Sequence, residues 1–68
     1  MTGGQPIDEI GILVRDGGGF RLWRDAGGSY WLELSRMPID EVEKRVRVTG
    51  TLMPDDVVFV DGVSMADW

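Results

Sequence analysis

Sixty-eight residues without a cysteine or a histidine hold no thiolate nucleophile, no imidazole base, no disulfide and no zinc site of the usual Cys/His kind. Twelve acidic residues against seven basic ones leave a net charge of −5. That charge repels a phosphate backbone at long range, so nucleic acid is a disfavoured partner that needs a local basic patch.

A chain this short buries only about 60% of the surface that its unfolded state exposes, so its stability is thin: either the core is well packed or a partner subunit adds buried area, and small size favours a homodimer. The sequence contains no run of about 18 apolar residues and no basic segment followed by an apolar one near its start, so neither a membrane span nor a signal peptide is expected. No membrane partner follows, and the expected setting is the cytoplasm.

Met1 to Pro6 offers two glycines, a polar pair and a proline, with little to bury. Residues 1–8 read as a flexible leader and residues 9–68 as one domain. From Glu9 onward, Ile10, Ile12 and Val14 alternate with Gly11, Leu13 and Arg15, the period of a strand, and Asp16-Gly17-Gly18-Gly19 supplies a tight turn. Phe20, Leu22 and Arg24 then alternate with Arg21, Trp23 and Asp25 until a second turn at Asp25-Ala26-Gly27-Gly28. Tyr30, Leu32 and Leu34 alternate with Trp31, Glu33 and Ser35 in a third strand, which completes a meander.

Met37-Pro38-Ile39-Asp40-Glu41-Val42-Glu43-Lys44 breaks the period of two. Proline and acidic residues at its start and Lys44 at its end suit one short helical turn that caps the end of a barrel. Arg45 to about Met53 is the clearest strand: Val46, Val48 and Leu52 face in, and Gly50, also inward, permits a sharp bend. Pro54-Asp55-Asp56 is a turn, and Val57 to Asp61 is a fifth strand ended by Asp61-Gly62. Its apolar run Val57-Val58-Phe59-Val60 predicts at least partial cover on both faces.

Three strands, a short helical turn and two strands predict an all-β, five-stranded OB-like barrel, a partly open Greek-key plan. An SH3-like barrel has the same parts, but its helical turn commonly precedes the last strand, whereas here two strands follow it. Gly11 to Val63 carries Gly-Ile-Leu-Val, Gly-Phe-Arg-Leu, Gly-Gly-Ser-Tyr-Trp-Leu-Glu-Leu, Lys-Arg-Val-Arg-Val-Thr-Gly-Thr-Leu and Asp-Val-Val-Phe-Val-Asp in succession. In this pattern it resembles the small uncharacterised bacterial proteins of OB-like type, a domain of unknown function. The resemblance implies the fold and assigns no role.

With Phe20, Leu22, Tyr30, Leu32, Leu34, Val46 and Val48 inward, Arg21, Trp23, Trp31, Glu33, Arg45, Arg47 and Thr49 face out. Arg21, Trp23, Trp31, Arg45 and Arg47, extended by Phe59, form the candidate binding surface. Tryptophan and arginine are enriched where proteins meet, so the expectation is a non-catalytic module that self-associates or binds a protein partner through the Trp23/Trp31 face or an exposed edge strand. The alternative is a single-stranded nucleic-acid platform, with Arg21, Arg45 and Arg47 on phosphates and bases stacked on Trp23 and Trp31. Trp68 is expected to fold back onto a groove or a partner.

The remaining patterns carry no chemistry. Gly17-Gly18-Gly19 is followed by a strand and lacks the Gly-Lys-Ser/Thr of a phosphate loop. Asp8-Glu9, Asp40-Glu41-Glu43 and Asp55-Asp56 lack calcium-loop spacing and read as solvated turns and helix-end charges. No serine, threonine or lysine has a neighbouring base of a recognised motif, so neither enzymatic activity nor a cofactor is expected.

Overall fold

The computed structural model describes residues 4–35 and 41–66. Five strands occur there: β1 (Gln5–Asp16), β2 (Gly19–Arg24), β3 (Ser29–Glu33), β4 (Arg45–Leu52) and β5 (Val57–Met65). They form one sheet that closes on itself in the order β1-β2-β3-β5-β4. All neighbours are antiparallel except β3 and β5, whose parallel contact joins the meander to the last strand.

The ring closes because β1 is long enough to serve two partners. Its first part pairs with β4, from Gln5↔Leu52 to Ile12↔Arg45, and its second with β2, from Gly11↔Arg24 to Asp16↔Gly19. At the handover sits Gly11, where a Cβ would stand 2.0 Å from the Trp23 carbonyl oxygen. Gly50 plays the same part in β4: a Cβ there would stand 2.3 Å from the Phe59 carbonyl oxygen. The register of β4 on β5 shifts between Thr49 and Gly50, which leaves Asp61 as an unpaired extra residue in β5. Such a bulge bends the strand that carries it, β5, and increases the local twist where Gly50 of β4 lies against it.

Among the described residues six side chains form the core: Leu13, Leu22, Leu32, Val46, Val48 and Val58. Burying an aliphatic side chain of this size contributes about 1.5–3 kcal/mol. Phe20, Tyr30, Leu34, Leu52, Val60 and Val63 pack around them, with Ile7 from the start of β1.

The structure corrects several details. β1 begins at Gln5, so Gln5–Asp8 are paired with β4 rather than standing outside the sheet as part of a leader ending at residue 8. The alternation in β1, whose facing the sequence left open, resolves with Gly11 and Leu13 inward and Ile12 toward solvent, because the register across the Gly17-Gly18 turn sets Leu13 opposite Leu22. β5 runs on to Met65 instead of ending at Asp61: the bulge absorbs Asp61, and Gly62 to Met65 continue along β4. The second face of β5 is covered in part, as its apolar run implies: Val57 is half-buried and Phe59 is 53% exposed.

Of the expected helical turn, Met37 to Asp40 lie outside the described residues. Glu41 to Lys44 form a single turn, with the Lys44 N–H donating to the Glu41 carbonyl at 3.2 Å and Glu43 at a φ of 65°. This segment docks on β1 through the Leu13 N–H, which donates to the Lys44 carbonyl at 3.1 Å. No helix occurs among the described residues. Pro54-Asp55-Asp56 turns as its composition requires, with the Asp56 N–H donating to the Met53 carbonyl at 3.0 Å.

Candidate interaction surface

Strand alternation puts the residues between the core positions on the outside of the ring. On β2 these are Arg21 and Trp23, and on β3 Trp31. Register makes Arg21 the direct cross-strand partner of Trp31, while Trp23 faces Ser29. The Arg21 guanidinium lies 4.1 Å from the centre of the Trp31 ring and 5.7 Å from that of Trp23, so it sits between the two indoles. The Trp31 ring reaches over Gly19, its Cζ3 edge at ordinary contact distance, 3.4 Å, from where a Cβ of Gly19 would be. Asp16 pairs with the guanidinium at 3.2 Å.

The indoles do not bury each other. Trp23 keeps 48% of its surface exposed and Trp31 41%. The sequence did not single out Ile12, which lies opposite Trp23 on β1 and is 38% exposed. Val14 lies opposite Arg21 in the same way, half-buried. The signal for both was the length of the hairpin loop, since two residues between Asp16 and Gly19 dictate which side chains of β1 and β2 stand together.

Arg45 and Arg47 stand on β4, across β1 from β2: Arg45 opposite Ile12 and Arg47 opposite Ile10. Each is taken up by a carboxylate. Arg45 donates to Asp25, and Arg47 makes a two-pronged contact with Asp8, its Nε donating to Oδ1 at 2.7 Å. The hydrogen bond from Arg47 holds the Asp8 carboxyl below its ordinary value of 3.8 and raises the guanidinium in turn. Phe59 flanks Trp31 from the other side, on β5, opposite Glu33 and Thr51 and 53% exposed. The structure therefore unites Arg21, Trp23 and Trp31, sets Arg45 and Arg47 one strand beyond them, and puts Phe59 on the opposite flank.

A further stack lies at the end of the inward row of β2. The Arg24 guanidinium sits 4.5 Å from the Tyr30 ring centre and 3.8 Å from a Glu9 carboxylate oxygen. Among the described residues no group of three or more acidic side chains is placed to hold a metal ion, and no helix is long and apolar enough to cross a membrane.

What results is an all-β protein of five strands in one closing sheet, with an aromatic, apolar strip on its outer surface bordered by neutralised arginines. The chain belongs to the family described as a protein of unknown function (DUF5818), whose model matches residues 10–66. No curated protein and no solved structure matches it.

Proposed function

We propose that this chain is a non-catalytic, OB-like interaction module of the bacterial cytoplasm that self-associates or binds a protein partner through the Trp23/Trp31 face. The observation that carries this reading is the Arg21 guanidinium held between two half-exposed indoles and already paired with Asp16. A charge spent on its own neighbours, beside large apolar rings, suits the desolvated centre of a protein contact. The ring order, with two strands after the turn at Glu41–Lys44 and a parallel β3–β5 contact, supports the OB-like assignment. A chain without histidine or cysteine supports the non-catalytic one.

Single-stranded nucleic acid would use the same outer surface of β2 and β3. It needs cations free for phosphates, and Arg21, Arg45 and Arg47 each face a carboxylate. Titrating a mixed-sequence oligonucleotide into a Trp68→Phe variant at low salt, with Trp23 and Trp31 as reporters, tests the choice. Unchanged emission is the expected result. Quenching that weakens as salt rises would establish the nucleic-acid reading in its place.

A further inference from the structure

We infer that the outer face of β3, β2, β1 and β4 closes on the same face of a second copy of this chain, in a twofold contact centred on Trp31, Trp23 and Ile12. This rests on the reading of that face as an interaction surface and names its occupant. Register lays the face out in rows across the strands: Trp31, Arg21 and Val14 in one, Trp23, Ile12 and Arg45 in the next, Ile10 and Arg47 beyond. The first two rows carry most of the apolar surface.

Charge selects the occupant. Arg21, Arg45 and Arg47 are cancelled by Asp16, Asp25 and Asp8, so the chain's entire surplus of five negative charges falls on residues outside these pairs. Elsewhere, two copies of so acidic a chain meet with like charges opposed. On this face the three arginines are matched by three aspartates and only Glu33, at the outer edge on β3, is left over, so the centre meets neutral against neutral and the paired arginines and aspartates around the apolar rows can exchange partners across a twofold axis. A polyanion finds no net positive charge here, and a basic protein is drawn to the acidic remainder of the surface instead.

Size supports the same occupant. The described residues supply six buried side chains to the core, and chains of 68 residues commonly gain further burial by oligomerising. Each indole offers on the order of 150–250 Å² to bury, and on this face about half of it is still available.

Sedimentation of the full chain from micromolar to millimolar concentration tests this. A monomer–dimer equilibrium is expected, with Ile12→Asp and Trp31→Ser each weakening the dimer on the order of 30-fold while the β-type circular dichroism is retained. Raising salt from about 50 mM to about 200 mM leaves the dimer nearly unchanged, because no net charge is neutralised across the contact. A monomer at every concentration overturns self-association and leaves the face open to another protein. A dimer that neither substitution weakens places the contact elsewhere and overturns the reading of the face as well. Should the variants fail to fold, the emission of a Trp68→Phe chain decides: a blue shift with rising concentration supports the proposal, and a fixed maximum overturns it.

Discussion

Arg21 stacks on Trp31 as its direct cross-strand partner, with the guanidinium 4.1 Å from the ring centre. The contact combines a cation over an electron-rich face with an aliphatic stem that covers apolar surface, and the second part survives in salt. Arg21→Ala is expected to lower unfolding free energy by about 1 kcal/mol and to open both indoles to acrylamide. Arg21→Lys recovers only part of this, because an ammonium lacks the planar stacking surface. Urea titrations of the three proteins check it, and equal midpoints for Arg21→Ala and wild type would show that the stack contributes nothing.

Two glycines of similar appearance in the sequence should respond with opposite sign. At Gly50 an alanine methyl would meet the Phe59 carbonyl oxygen at 2.3 Å, so Gly50→Ala forces β4 and β5 apart and costs roughly 1–3 kcal/mol. At Gly18 nothing stands within 4 Å and the backbone φ is not in the left-handed range. Gly18→Ala therefore stabilises by about 0.4–1 kcal/mol through the entropy of the unfolded chain. Thermal melts of both variants read the two signs directly.

The Asp8–Arg47 pair makes stability depend on pH. Folding lowers the Asp8 pKa from its ordinary 3.8, chiefly through the hydrogen bond from Arg47. The unfolded chain then binds the proton more readily, so the stabilisation is complete at pH values above 3.8 and disappears as pH falls through the lower native value. Wild type is accordingly more stable than Asp8→Asn at neutral pH, and the two converge in acid. Both groups are exposed, so the gap is small and shrinks in high salt. A gap that widened on acidification would contradict this assignment.

The β4 strand was legible from the sequence, because Val46 and Val48 are apolar, Arg45 and Arg47 are not, and the glycine at 50 marks a close approach of the neighbouring backbone. β1 was legible as a strand but not in its facing. Its two faces are both apolar near the middle, and only the partner strand decides between Leu13 and Ile12. The end of β5 was hidden for a different reason: Asp61-Gly62 is ordinary turn chemistry, and a bulge uses the same residues without stopping the strand.

On the outer surface, Arg21, Trp23 and Trp31 could be placed together because adjoining hairpin strands bring them there. The pairing of Arg45 with Asp25 and of Arg47 with Asp8 could not, since it joins residues 20 and 39 positions apart. Those carboxylates remove the surplus positive charge that the arginines alone would give this surface, and no local pattern announces them.

The parallel contact of β3 with β5 spans Trp31↔Val57, Leu32↔Val58 and Glu33↔Phe59, while β1 holds β4 along eight residue pairs. The ring therefore has a zip fastener with one short side. That seam has the fewest paired residues of the five contacts, so opening the ring here breaks the least and leaves a sheet in the order β3-β2-β1-β4-β5. Trp31 and Phe59 stand at its two lips, so whatever rests on those rings also holds the cylinder shut.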